Sequence, residues 1–189
     1  MTEPQRLKTS PERRPAELPA AGGGEPVRRG LGAAGGRYRL RALAKIFEQD
    51  DIALPRVAAF FHQQGEKEQE EAEAMMEYLI DRGGQYCNKD IKKPGCEGVC
   101  NILQALQMML SKWKEVAGIM VELCLLSREN GDPHTASVVK QRFITPLVGK
   151  IKVLGDLLTN TRRVGCSADE ATGFGEYLID QLQKELTSI

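Results

Sequence analysis

The chain has 189 residues, 26 basic and 26 acidic side chains, two histidines and five cysteines. That length suits one domain with a tail, and a net charge of zero excludes bulk charge as the means of holding nucleic acid or an anionic membrane. Two histidines exclude a His-rich metal cluster, no apolar run approaches the ~20 residues of a membrane span, and five cysteines read as reduced thiols, not a disulfide framework.

The opening MTEPQRLKTSPERR has no apolar stretch of the secretory kind, which predicts a cytoplasmic protein. Residues 1–36 hold five of the nine prolines and seven of the 19 glycines, with Arg13-Arg14 and Arg28-Arg29 and almost no bulky apolar side chain. Such a segment buries too little surface to offset its ordering entropy and is predicted to be a disordered tail, leaving residues 37–189 as the folded domain. From Arg37 to Phe47, Leu40, Leu43, Ala44 and Phe47 recur at helical spacing. Pro55 is placed to open a second helix, which runs to about Arg82 and stops at Gly83-Gly84. Its inward positions read Phe61, Gly65, Glu68, Ala72, Met75 and Leu79.

Gly83 to Val99 has no period and is long enough to travel the length of a bundle, joining two parallel helices. A third helix presents Ile102, Leu106, Met109, Trp113, Val116, Met120 and Leu123 on one face and closes at Gly131. Asp132 as N-cap and Pro133 at the first position start a fourth. Its expected apolar face is Ile144, Leu147, Val148, Ile151, Leu154 and Leu158, ending at Gly165. Pro146 falls inside that helix, where a proline costs ~3 kcal/mol or more, predicting a marginally stable subunit. Ser167 to Glu170 fits a capping box before a short fifth helix marked by Leu178, Leu182 and Leu186. No strand alternation, repeat or phosphate loop is present, so the expected fold is all-α: a four-helix bundle with one long crossover and a short fifth helix.

Several blocks then become recognisable: Asp50 to Leu54, Arg82-Gly83-Gly84, Asp90 to Pro94, Asp132-Pro133-His134, Leu154-Gly155-Asp156 with Thr159-Asn160, and Gly175 to Leu178. In this order and near this spacing they resemble vertebrate ferritin, in its heavy-chain-like branch, over about residues 37 to 186. The resemblance implies a ferritin-like four-helix-bundle subunit of a hollow 24-subunit shell that stores ferric mineral, assembled with itself or with heavy and light chains.

The family's di-iron chemistry needs carboxylates and an imidazole projecting inward from facing helices. Carried over by position, the first-helix glutamate falls on Ala33 and the first-helix tyrosine on Leu40. The paired glutamates of the second helix fall on Lys67 and Glu68, and its histidine on Glu71. The third-helix glutamate becomes Trp113 and the fourth-helix glutamine Leu147. Only Glu68 keeps its type. A lysine repels Fe(II) and an indole offers no acceptor, so the resemblance implies a lost ferroxidase centre, and Glu68 becomes a carboxylate stranded on an apolar face.

Glu66, Glu70, Glu73 and Glu77 form an acidic stripe beside that face. In light-chain ferritins, carboxylates of this region are thought to nucleate mineral, so Glu66, Glu68, Glu70, Glu71 and Glu73 are the candidate weak iron ligands; the bland alternative for the stripe is a solvated helix face. The positions that line the family's iron-entry pores hold Ser137 and Lys140, with Arg142 nearby, which opposes cation passage. Cys87, Cys96 and Cys100 lack a second pair at zinc spacing, and His62 and His134 stand isolated. Three functions follow as expectations: an iron-storage subunit without ferroxidase activity; a structural or interaction protein that keeps the bundle but stores no iron; and a ferroxidase with an altered centre.

Overall fold

The computed structural model describes residues 35–84, 95–96, 98–165 and 173–181. These form α1 (Gly35–Phe47), α2 (Pro55–Asp81), α3 (Ile102–Glu129), α4 (Pro133–Val138), a π-helical turn (Val139–Ile144), α5 (Thr145–Arg163) and α6 (Gly173–Gln181). No strand occurs among the described residues, and no helix is long and apolar enough to cross a membrane. The tail expected over residues 1–36 lies outside them except at its end, where Gly35 already begins α1. Most of the crossover with Cys87, the Ser167–Glu170 box, Leu182 and Leu186 are likewise outside the described residues.

α1 and α2 pack antiparallel. Gly36 of α1 lies against Glu68 of α2, and Leu40 lies against Gly65. Further along, Phe47 stacks on Phe61 with ring centroids 5.5 Å apart. Pairing residues that ascend on one helix with residues that descend on the other is what a short connection between helices enforces. α3 packs against the fourth long helix, made of α4, the π turn and α5.

Helix starts are satisfied in two ways. Asn101 caps α3 by accepting from the Gln104 amide, and Asp132 caps α4 by accepting from the Thr135 amide. Leu54, ahead of α2, offers no capping side chain. Here α6 supplies the acceptor: Asp180 Oδ1 accepts from the Arg56 and Val57 amides at 2.9 and 3.0 Å. Glu176, one turn earlier on α6, accepts from the Ile102 amide at 2.9 Å. The fifth helix thus ties together the starts of α2 and α3.

Pro146 is accommodated without breaking the helix. Through the π turn, the Thr145 amide donates to the Lys140 carbonyl, five residues back, and the Thr145 hydroxyl donates to the same oxygen. Pro146 follows directly as the second residue of α5, so the π turn lies where the proline lacks its N–H. The inward stripe of α5 also differs from the expected one. Val148 is 58% exposed, and Lys150 takes the buried place between Leu147 and Leu154. Residues 147, 150, 154, 158 and 161 follow the three-and-four spacing of a single helix face, and Val148 lies off it.

Two apolar clusters fill the bundle. The larger includes Leu43, Phe47, Phe61, Ile102, Leu106, Trp113, Leu147 and Leu154. The smaller includes Met75, Met120, Leu123, Val139 and Phe143, with Val116 packed against both. On α2 the stretch from Phe61 to Met75 passes from one cluster to the other through Gln64, Glu68 and Glu71.

Candidate functional site

All four bundle helices contribute to this polar stretch. From α3, Trp113 Nε1 donates to Glu68 Oε1 at 2.7 Å. From α1, Gly36 presses its backbone on the same carboxylate: a β-carbon there would lie 1.9 Å from Glu68 Oε2. From α5, Lys150 Nζ donates to Glu71 Oε1. The Lys150 side chain keeps only 11% of its surface exposed, against 44% for Glu71, so the ammonium enters the bundle to meet a carboxylate at its edge.

Burial pushes the Glu68 carboxyl above its ordinary value, and the neighbouring Glu71 charge pushes the same way. The Trp113 N–H bond opposes the rise, as do the charges of Lys150 and Arg39. One helical turn before Glu68, Gln64 is wholly buried, and neither its amide oxygen nor its nitrogen has a partner among the described residues. A buried amide without partners costs roughly 1–3 kcal/mol.

Most of the side chains that surround Glu68 and Glu71 are not metal-ligating groups. Lysine and tryptophan present only donors here, Leu40 and Leu147 are buried apolar side chains, and the two carboxylates that remain are each engaged by a protein N–H. Among the described residues no group of three His, Cys, Asp or Glu side chains is gathered to hold a metal ion. Ala33 lies outside the described residues. Lys67, the lysine that sequence places beside the metal position, is half-buried and has no ion-pair partner among the described residues; the ammonium that reaches the carboxylates is that of Lys150. Sequence reading missed Lys150 and Gly36. The available signal for Lys150 was its three-residue spacing from Leu147 on the apolar stripe.

Glu66, Glu70, Glu73 and Glu77 are all exposed on α2, and Gln69 Nε2 donates to Glu73 Oε1 at 2.6 Å. Of the candidate ligands, then, Glu68 and Glu71 belong to the polar stretch inside the bundle, whereas Glu66, Glu70 and Glu73 lie on the solvent side. Ser137, Lys140 and Arg142 are exposed on the fourth helix. Cys96 is buried, which raises its thiol against the opposing charge of Arg39, while Cys100 is exposed.

Neither histidine is isolated as expected. His62 Nε2 lies 2.8 Å from Glu48 Oε1. His134 Nδ1 lies 3.0 Å from the Tyr78 hydroxyl, with its ring stacked over the tyrosine. The tyrosine also bonds Thr135 Oγ1 at 2.9 Å, and Thr135 Oγ1 donates to Asp132 Oδ2, which also accepts from Arg82 at 2.7 Å. This chain staples the end of α2 to the start of α4. Burial alone raises the Asp132 carboxyl, but the two Thr135 bonds and the Arg82 guanidinium outweigh it and hold the group below its ordinary value.

The ferritin-like domain family matches residues 37–164. The middle ferritin subunit of Aquarana catesbeiana is 35% identical over 144 residues, covering 76% of this chain and 80% of that protein. The soma ferritin of Lymnaea stagnalis is 36% identical, covering 76% of this chain and 79% of that protein. The oocyte light-chain ferritin of Xenopus laevis is 32% identical over 145 residues, covering 77% and 80%. Fold, family match and relatives agree: the chain belongs to the ferritin family.

Proposed function

We propose that the chain is an iron-storage subunit of a cytoplasmic ferritin shell that lacks ferroxidase activity. It joins heavy and light chains, or copies of itself, and holds ferric iron weakly as cargo through the α2 carboxylates Glu66, Glu70 and Glu73. The observation that carries this reading is the pairing of Glu68 with Trp113 and of Glu71 with Lys150, with no group of three His, Cys, Asp or Glu side chains gathered for a metal ion among the described residues. The exposed acidic stripe of α2 supports weak binding of a hard cation, which prefers carboxylate oxygen. Stopped-flow oxidation of Fe(II) by the purified chain tests the first part. The expected trace matches the protein-free rate, and rapid oxygen-dependent turnover abolished by Glu68→Ala would establish an altered ferroxidase instead.

A second reading, a bundle protein that stores no iron, is favoured by exposed Ser137 and Lys140 near the start of the fourth helix, since lysines meeting around a shared axis repel cations. Iron loading followed by size-exclusion chromatography, alone and mixed with an active heavy chain, separates the two. Storage predicts ferric iron co-eluting with mixed shells. Failure both to join shells and to retain iron selects the second reading.

A further inference from the structure

We propose that the outward face of α1 binds single-stranded nucleic acid through Arg37, Tyr38 and Arg41. The zero net charge of the chain conceals a local excess: no acidic residue stands between Glu25 and Glu48, and Arg28, Arg29, Arg37, Arg39, Arg41 and Lys45 all fall in that stretch. Leu40, Leu43, Ala44 and Phe47 turn the apolar side of α1 into the core, which leaves Arg37, Tyr38, Arg41 and Lys45 on the opposite side, within an arc of about 100°. Arg41 and Lys45 are exposed, and Tyr38 keeps 50% of its surface. Arg37 is half-buried; its Cγ lies over Gly65 of α2, 4.0 Å from where a β-carbon would stand, so its stem is laid down before any ligand arrives. Lys45 pairs with Glu48 at 2.5 Å, and the Arg39 charge acts on Glu68 and Cys96, so Arg37 and Arg41 are the cations of this face that meet phosphate. Guanidinium groups match phosphate geometry, and the exposed aromatic ring beside them offers an unpaired base a plane to stack on, which together make a single-strand contact. A membrane surface would need an apolar face, which α1 has already buried in the bundle. None of these residues belongs to the polar stretch or to the acidic stripe of α2, so the inference is independent of the iron reading.

The full chain is titrated into a fluorescein-labelled oligothymidylate at low salt and followed by fluorescence anisotropy. Wild type is expected to bind, with an affinity that falls as salt rises. Arg37→Gln combined with Arg41→Gln should weaken binding by about tenfold or more. It should also flatten the slope of log affinity against log salt by about 1.4, since each phosphate neutralised on a single strand contributes about 0.7. Arg37→Lys combined with Arg41→Lys should retain most of the affinity, because a lysine still meets phosphate as a point charge. Tyr38→Ala should weaken oligothymidylate binding by about fivefold or more through lost stacking and leave unchanged the affinity for heparin, a polyanion without bases; Tyr38→Phe should match wild type. Far-UV circular dichroism checks the helix content of each variant. The proposal is overturned if wild type leaves the oligonucleotide free at low salt. It is equally overturned if the doubly neutralised protein binds as before, which would place the contact elsewhere, as on the exposed Lys140 and Arg142. Tyr38→Ala that affects neither ligand, or both alike, overturns it too, as does displacement of the oligonucleotide by phosphatidylserine vesicles; either result marks a surface that takes any polyanion.

Discussion

The N-terminus of α2 has its acceptor 123 residues away in sequence, and Asp180→Ala tests what that bond contributes. Asp180 is 3% exposed and its Oδ1 takes two amide donors. Hydrogen bonds to a charged acceptor contribute about 1.5–3 kcal/mol each. The two amides share one oxygen, however, and the Arg56 amide is only part-buried and can recover water, so the sum is well short of additive. An expected loss of about 2–3 kcal/mol follows, at the upper end of ordinary N-cap removals. Asp180→Asn keeps an acceptor oxygen and loses only the charge facing the helix dipole, worth about 0.3–1 kcal/mol. Urea unfolding of the full chain, followed by circular dichroism, reads both variants. A loss below about 0.5 kcal/mol for Asp180→Ala would refute the idea that α6 holds the start of α2. Equal losses for Ala and Asn would show that charge, not the acceptor geometry, matters.

Three further outcomes are expected. Asp132 is held below the ordinary carboxylate value of 3.8, so its contribution is complete above that value and is lost as pH falls through the lower native one; the stability gap between wild type and Asp132→Asn should close over that window in pH-dependent urea midpoints. Gly36→Ala would gain about 1 kcal/mol on helix propensity alone, but its methyl meets Glu68 Oε2, which is pinned through the Trp113 bond. The expected result is a net loss of about 1–2 kcal/mol with a changed Trp113 emission, and a plain gain would contradict the packing. Pro146→Ala should alter stability by less than about 1 kcal/mol if the π turn beside the proline absorbs its missing N–H; a gain near ~3 kcal/mol would show that the helix bears the full cost.

Much of the architecture was legible because it is written in local periodicity. Leu40 to Phe47, Ile102 to Leu123 and Leu147 to Leu158 repeat at helical spacing, and Asp132-Pro133 and Gly131 punctuate the chain by rules that depend on a few neighbours. What could not be read were the non-local bonds. Nothing around Leu54 announces that Asp180 will cap α2, although an uncapped helix start beginning at Pro55 demands an acceptor from elsewhere. The π turn was likewise invisible, because its benefit appears only when the helix beyond it has to pack.

The candidate site shows the same division between charge identity and charge partner. That Trp113 and Leu147 bring bulk to the inward faces follows from residue type, and both are buried. The sequence also places Lys67 next to Glu68, although not as an obvious intrahelical partner. Adjacent residues on a helix diverge by about 100°, whereas a residue from a facing helix can point straight at the carboxylates. Lys150 satisfies that geometry. Its position also accounts for two acidic groups beside the apolar core: Glu71 neutralises the buried ammonium, Trp113 donates to Glu68, and removing any one of the four leaves another group without its partner. Such a set is locked by mutual dependence, so its carboxylates need no metal to account for their presence.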